Sequence, residues 1–275
     1  MLKKFIILIS FVCIVSCEEQ VDVAIENFEE RAIIQANFEI FRDSSFSRNR
    51  VFIRKTRPFF EETWRNVEDA KVSIKNTQND SLYIFDYFRN GAYFNSELLL
   101  KEDITYELTV EIDEEIYFST AKSISNSPIE SIEYIGDRTR ESEEIAEFNV
   151  VFTDDITEKN YYLFELDYSI INVFEDNFFN GQAFNFSLFK RKSDIFNNSI
   201  TVTSYGIDKD YFMYLSKLIE LNEPQFYGPF STPPASPRGN IVNKTNVNNF
   251  AFGYFQISVV YDKVYTFAEP NKSKE

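Results

Sequence analysis

The stretch Tyr106-Glu107-Leu108-Thr109-Val110-Glu111-Ile112-Asp113 decides the fold class of this chain. Its hydrophobic side chains alternate with polar ones, which is the pattern of a β-strand with one face buried and the other in water. The same period of two recurs outward along the chain. It returns at four further places, Ala70/Val72/Ile74, Tyr162/Phe164/Leu166/Tyr168, Phe184/Phe186/Leu188 and Phe255/Ile257/Val259. The sequence therefore predicts a mainly β protein.

Two Asn-Gly pairs, Asn90-Gly91 and Asn180-Gly181, lie between apolar runs. Asn-Gly supplies the positive φ angles that a two-residue type I′ turn requires. Each pair therefore predicts a β-hairpin.

One segment, residues 208–221, has the period of a helix instead. Its apolar residues recur at steps of three and four, at Tyr211, Tyr214, Leu215, Leu218 and Leu221. Asp208 can cap the first turn, and Pro224 follows the last. The sequence predicts one amphipathic helix here.

The N-terminus predicts a signal peptide over residues 1–16. Lys3 and Lys4 precede an apolar run from Phe5 to Val15, which is too short to span a membrane. The segment that ends Ile14-Val15-Ser16-Cys17 resembles a bacterial lipobox, which implies cleavage before Cys17 and attachment of diacylglycerol to its thiol. The alternative is an ordinary secretory signal with a coincidental Cys, although no Ala-x-Ala-like site follows.

Glu18 and Glu19 come directly after that cysteine. Acidic residues there resemble the surface-export signals of Bacteroidota lipoproteins, and the alternative is a solvated tether without a signal. We expect a protein that is lipid-anchored in the outer membrane and exposed at the cell surface.

Composition excludes several function classes. The 28 lysines and arginines face 44 aspartates and glutamates, and a net charge of −16 argues against nucleic-acid binding. The chain has no histidine, which excludes Ser-His-Asp catalysis and histidine-ligated metals. Its seven glycines form no nucleotide-binding motif. We expect no enzyme, no metal site and no cofactor.

The chain divides best at the polar, serine-rich segment Lys122 to Pro128. We predict a lipidated tether and first strand over 17–30, followed by an antiparallel β-sandwich over 31–126. A second β-rich domain over 127–268 carries the helix, and a polar tail covers 269–275.

Short motifs carry a family resemblance. Val67 to Ile74, Gly91-Ala92-Tyr93 and Tyr106 to Val110 look like strands of carboxypeptidase-regulatory or fibronectin-like sandwiches. The second half contains, in order, Phe152-Thr153-Asp154-Asp155, Asn160-Tyr161-Tyr162, the helix, Gly239-Asn240-Ile241 and Phe252-Gly253-Tyr254-Phe255.

That order is similar to a family of Bacteroidota outer-membrane lipoproteins described only as a domain of unknown function. Members are typically encoded beside TonB-dependent receptors. The resemblance implies an accessory part of an uptake system and supplies no catalytic residues.

Carboxylates and one S-x-x-K motif are the candidates for chemistry. Ser119 and Lys122 match the motif of serine acylases, but they end a predicted strand and no companion motif follows. Asp154, Asp155 and Asp176 are candidates for a glycosidase pair or for calcium ligation. With so many acids in the chain, such groupings also arise by chance.

Five cations, Arg48, Arg50, Arg54, Lys55 and Arg57, lie within ten residues of an acidic chain. Of these, Arg54, Lys55 and Arg57 are the residues that we assign to binding. Such a local reversal of the field can dock an acidic partner or lipid phosphates. The alternative is a solvated loop or an edge strand that its charges protect from pairing.

Three aromatic residues are candidates for contact with a ligand or partner. Trp64 is the only tryptophan and lies in a polar stretch. Phe178 and Phe179 adjoin the Asn180-Gly181 turn, and one of the pair should face outward. Exposed rings can stack on sugars or pack on a protein, and the alternative is packing within the hairpin.

Two hypotheses of function remain. The first is a non-catalytic ligand-binding or accessory subunit of a TonB-dependent uptake system, with a small-molecule or oligomeric nutrient as its ligand. The second is a structural or assembly lipoprotein of the cell envelope that makes only protein–protein contacts.

Overall fold

A computed structural model describes residues 29–42, 47–58, 61–167, 170–222 and 237–267. Within these ranges, the residues from Arg31 onward form one compact unit. Within the described ranges the chain is mainly β with one α-helix, so the predicted fold class is confirmed.

The strands before residue 126 follow one another with short connections. They are β1 (Ala32–Phe41), β2 (Ser47–Lys55), β3 (Arg65–Asn66), β4 (Lys71–Asn76), β5 (Leu82–Arg89), β6 (Ala92–Phe94), β7 (Thr105–Ile112) and β8 (Glu115–Ile124).

The second half contains the remaining strands, two 3₁₀ turns and the helix. They are β9 (Ile129–Arg140), β10 (Glu143–Thr153), β11 (Tyr161–Leu166), β12 (Ile170–Glu175), η1 (Asp176–Phe178), β13 (Ala183–Arg191), η2 (Lys192–Asp194), β14 (Ser199–Ile207), α1 (Lys209–Asn222), β15 (Val242–Asn243) and β16 (Phe255–Thr266).

A large sheet joins both halves of the chain. Its strand order is β12-β11-β14-β16-β1-β2-β6-β5-β4-β7-β8-β15, with β3 beside β2. The last strand, β16, runs parallel to β1 and also pairs with β8, which closes the path from β1 to β8 on itself. A strand from the end of the sequence therefore completes the N-terminal sandwich.

The closed part of the sheet encloses the first hydrophobic core. The alternation that predicted β7 is confirmed, because Tyr106, Leu108, Val110 and Ile112 are all buried. Phe38 of β1 meets Phe255 of β16 edge to face, with ring centroids 5.4 Å apart. The apolar phase of each strand thus faces the interior.

A second core lies between a small sheet and the other end of the large one. The small sheet has the order β13-β10-β9. Phe152 of β10 meets Tyr162 and Phe164 of β11 with ring centroids 4.8 and 5.0 Å apart. This aromatic layer accounts for the predicted faces of β11 and β13.

The helix α1 packs on the opposite face of β11, β14 and β16. Tyr211 and Leu215 are buried there, as the helical period predicts. The side chain of Asp208 caps the helix, because its Oδ1 accepts the Tyr211 N–H at 2.7 Å. The predicted helix is confirmed, with bounds one residue later than expected.

The two Asn-Gly predictions have different outcomes. Asn90 and Gly91 take φ angles of 52° and 76° and connect the antiparallel strands β5 and β6, so this hairpin is confirmed. The hairpin at Asn180-Gly181 is wrong, since β12 pairs with β11 whereas β13 pairs with β10. A 3₁₀ turn at Asp176–Phe178 carries the chain from one sheet to the other instead.

The predicted boundary at Lys122 to Pro128 coincides with the connection from β8 to β9. Asn126 ties this connection to β14, because its Nδ2 donates to the Ser204 carbonyl at 2.8 Å. The division into two domains stays a prediction. Cys17, Glu18, Glu19, Tyr168 and the tail 269–275 lie outside the described residues.

Over the described ranges, no helix combines the length and the apolar character that a membrane crossing requires.

Candidate functional site

A cleft of about 280 Å³ lies between α1 and the outer face of the large sheet. We call it the helix-covered cleft. The polar phases of β1, β2 and β16 face it, together with residues of β11 and β14. Its main lining side chains are Asn37, Glu39, Arg48, Glu165, Tyr205, Tyr211, Tyr214, Tyr254, Gln256 and Ser258.

Strand register assembles the floor of the cleft. Asn37 pairs with Gln256, and Glu39 pairs with Ser258, across the parallel strands β1 and β16. Partners in a parallel pair point to the same face, and residues two apart share it. The strands that bury Phe38 in the core therefore present amides, a carboxylate and a hydroxyl on their other face.

Glu39 and Arg48 form an ion pair on the floor of the cleft. They are opposite each other in the antiparallel pair of β1 and β2, with Arg48 Nη1 2.7 Å from Glu39 Oε2. Burial raises the pKa of Glu39 to about 7, and the charge of Arg48 lowers it only in part. The carboxylate is consequently held where a change of pH near neutrality alters its charge.

A second carboxylate, Glu165, lies on β11. Burial raises its pKa, and the Tyr205 O–H donates to its Oε2 at 2.9 Å. The pKa of the Tyr205 phenol is also raised, chiefly by burial and next by the charge of Glu39. The carboxyl groups of Glu39 and Glu165 thus both face the cleft, and the positive charge of Arg48 lowers the pKa of each.

Tyrosine rings form the wall under the helix. Tyr211 stacks on Tyr214, and Tyr254 lies 4.6 Å from the Tyr211 ring centroid. The Tyr211 O–H donates to Asn37 Oδ1 at 3.3 Å, which links the wall to the floor. Ring faces beside convergent polar groups are the usual composition of a small-molecule site.

The structure brings three of the predicted residues together. Trp64 is 49% exposed, and the guanidinium carbons of Arg54 and Arg57 each lie 5.0 Å from its ring centroid. Lys55, the third cation that the sequence analysis assigned to binding, forms an ion pair with Asp113 instead, with Nζ 2.8 Å from Oδ2. None of these four residues is among the lining residues of the helix-covered cleft.

Phe178 and Phe179 differ in exposure, and one of the two faces outward as expected. Phe178 is 95% exposed, whereas Phe179 is buried and stacks on Phe184 with centroids 4.1 Å apart. The geometry leaves Phe178 available for contact and places Phe179 in the second core.

The three aspartates singled out from the sequence accept hydrogen bonds from backbone N–H groups and from one tyrosine hydroxyl. Asp154 accepts the Tyr162 O–H at 2.5 Å and the Gly181 N–H at 2.8 Å. Asp176 accepts the Asn160 N–H at 2.7 Å, and Asp155 accepts from Thr157 within its own turn. These contacts stabilise the segment of the chain between β10 and β13.

The S-x-x-K residues lie on β8, three positions apart and hence on opposite faces of the strand. Ser119 donates to the Asn240 carbonyl at 3.0 Å, and Lys122 pairs with Asp103 at 3.0 Å. The strand does not place the amine beside the hydroxyl as a helical turn would.

The sequence did not reveal the cleft. Glu39 and Glu165 occupy polar phases of strands and look like solvent-facing acids. The amphipathic helix was the one signal in the sequence that pointed to the cleft. Its apolar face has to pack on a sheet, and polar residues on the covered sheet face then line the space beneath the helix.

Four apolar side chains on β5 and β6 remain largely exposed. They are Leu82, Ile84, Phe88 and Phe94, which we call the apolar hairpin face. Contiguous exposed apolar surface of this kind marks contact sites on many soluble domains.

One comparison agrees with the resemblance to a family described only as a domain of unknown function. A family model described as a domain of unknown function, DUF4249, matches residues 18–263. Neither a curated protein nor a solved structure matches the chain.

Proposed function

Because the chain belongs to the DUF4249 family, whose description assigns no activity, we propose a function from its own residues. The protein is a lipid-anchored, non-catalytic binding protein that holds a small polar ligand in the helix-covered cleft. The observation that carries this proposal is the cleft itself, in which a polar sheet face meets a wall of tyrosines under one helix.

The charges of the cleft define the ligand class. Glu39 and Glu165 outnumber Arg48, so an anionic ligand such as a phosphate is disfavoured. Hydroxyl or amine groups fit better, because the amides and carboxylates of the floor accept hydrogen bonds. The ring of Tyr214, which is only partly buried, can stack on a sugar or an amine-bearing ligand. The volume of about 280 Å³ suits a ligand of the size of a monosaccharide or dipeptide.

The proposed location is the outer membrane, at the cell surface. The lipobox-like segment before Cys17 and the following Glu18 and Glu19 support it. Two or more acyl chains on that cysteine hold a protein at a membrane nearly irreversibly.

The proposed partner is a TonB-dependent receptor, to which the protein presents or relays its ligand. The resemblance to Bacteroidota lipoproteins supports this partner. The apolar hairpin face offers a surface for it, since exposed apolar groups at a protein surface favour association.

That same face favours a second candidate function. A structural or assembly lipoprotein of the envelope needs protein contacts and no nutrient, and the apolar hairpin face alone would suffice for it.

Ligand-dependent stabilisation of the purified chain tests the proposal. We expect that a panel of free sugars, dipeptides and diamines contains a class that raises the melting temperature. Tyr205→Phe and Glu39→Gln should weaken that shift, whereas Tyr87→Phe, outside the cleft and bonded to Glu68, should preserve it. If a detergent-solubilised receptor co-purifies but no panel member stabilises the chain, the structural function replaces the binding one.

A further inference from the structure

The end of the large sheet at which the folded unit begins carries a distinctive group of side chains. Arg31 opens the unit, and its backbone exchanges two hydrogen bonds of 2.9 Å with Thr56. The chain therefore enters the fold beside Arg54, Arg57 and Trp64.

A second aromatic ring at the same end is also flanked by cations. Phe250 lies between Arg31 and Arg238, whose guanidinium carbons are 3.9 and 3.8 Å from its centroid. Arg31 also donates to the Asn248 carbonyl at 2.9 Å, which fixes this ring beside the start of β1. We call the six residues Arg31, Arg54, Arg57, Trp64, Arg238 and Phe250 the tether-end surface.

The charge of this surface opposes that of the whole protein. Four arginines surround two rings in a chain whose net charge is −16. Two of the nearby carboxylates are already paired, Asp113 with Lys55 and Glu61 with Arg65. An arginine guanidinium can form a bidentate contact with phosphate, and its planar face can also stack on an aromatic ring.

We propose that the tether-end surface docks on the phosphate-bearing headgroups of the bilayer, with Trp64 at the level of the headgroups. This docking rests on the proposed lipid anchor at Cys17. Tryptophan and arginine are the side chains that favour the membrane–water interface.

Chain connectivity favours a membrane over an acidic protein as the occupant. Thirteen residues lie between Cys17 and Arg31, so the chain between these two residues spans roughly 50 Å at most. The anchor therefore keeps this end of the unit near the bilayer. An anionic body is repelled by anionic headgroups, so the orientation that presents its cationic end is also favoured electrostatically.

Trp64 reports on this docking directly because it is the only tryptophan. The intact lipidated protein is reconstituted into phosphatidylethanolamine–phosphatidylglycerol vesicles, with and without bromine on the acyl chains near the headgroups. We expect the brominated vesicles to quench Trp64 emission and added salt to reduce the quenching. Arg54→Gln with Arg57→Gln should lose the quenching while the protein still floats with the vesicles.

A relocated reporter supplies the matched control. β16 begins beside β1 near the tether end and finishes at Thr266, which pairs with Ser199. Phe196, 77% exposed, accepts a backbone hydrogen bond from Ser199 and so lies at the opposite end. The variant with Trp64→Phe and Phe196→Trp should show no quenching.

Four results would overturn the docking. A floating protein with unquenched Trp64 would leave the anchor intact and refute the orientation. Equal quenching of both reporters would show that no end is preferred. Crosslinks from position 64 to a receptor, without quenching, would assign the surface to an acidic protein. A chain that fails to float would remove the anchor and the docking together.

Discussion

Glu39 and Arg48 face each other across neighbouring strands, 2.7 Å apart, on the side of the sheet that the helix covers. An ion pair at this depth loses solvation on both partners, and its attraction recovers only part of that loss. The pKa of Glu39 is therefore raised to about 7, because the loss of solvation outweighs the attraction of Arg48.

Stability should depend on pH through Glu39. Its carboxyl has a pKa of about 7 when folded and 4.5 ordinarily, so the unfolded chain gives up the proton first as pH rises. The stability present below pH 4.5 should decline up to pH 7, by at most roughly 3 kcal/mol. Denaturant unfolding across this range should show a flatter profile for Glu39→Gln, whereas Glu130→Gln, an exposed carboxylate on β9, should follow the parent. Identical profiles for all three proteins would contradict the buried carboxylate.

Asp154 should matter for stability. Asp154→Ala leaves the Tyr162 O–H and the Gly181 N–H without their acceptor. We expect a loss of about 2–4 kcal/mol in the free energy of unfolding, since each unsatisfied buried donor costs about 1–3 kcal/mol. Asp155→Ala, which disturbs only a surface turn, should cost about 1 kcal/mol or less. Equal losses in urea titrations of the two variants would argue against this role.

The neighbouring phenylalanines should respond oppositely to truncation. Phe179→Ala removes a buried ring from the second core and should cost about 3–5 kcal/mol. Phe178→Ala should change stability by less than about 0.5 kcal/mol, because the ring is 95% exposed. Thermal unfolding compares the two, and a large loss for Phe178→Ala would return that ring to a structural role.

Gly206→Ala should destabilise the fold through a backbone clash. A Cβ at this position would lie 1.9 Å from the Ser125 carbonyl oxygen, in the connection between β8 and β9. We expect a cost of about 1–3 kcal/mol or more, because backbone cannot yield as a flexible side chain can. A variant as stable as the parent would show that residues 122–128 are not packed on β14.

Membrane attachment should depend on one thiol. Cys17→Ser should move the protein to the soluble fraction, since the proposed acyl chains would have no sulfur to which they could be attached. Retention in the membrane would refute the anchor.

Replacing Glu18 and Glu19 with Ala should lower protease accessibility on whole cells, and unchanged accessibility would remove the export signal.

Local pattern was sufficient for much of the fold. β7 alternates cleanly because one of its faces is buried and the other is not, and α1 shows its period because only one face is covered. Asn90-Gly91 forms its turn because the residues alone set the backbone angles. At Asn180-Gly181 the same dipeptide follows a 3₁₀ turn, since β12 and β13 belong to different sheets and tertiary pairing overrides turn preference.

The cleft was beyond local pattern. The burial of Glu39 depends on where α1 packs, which is a contact of high sequence separation. The same holds for β16, whose first half is buried on both faces because the core and the helix each cover one. The contact of Arg54 and Arg57 with Trp64 was easier to predict from the sequence, because these residues are close together in the chain.

The position of β16 has a consequence for how the protein is made. Ala36 of β1 pairs with Phe255 of β16, 219 residues later in the chain, so the ribosome must synthesise β16 before the closed part of the large sheet can form. Until then, β1 lacks one of its two neighbours in the sheet. This order would suit the proposed export of the chain across a membrane before it folds.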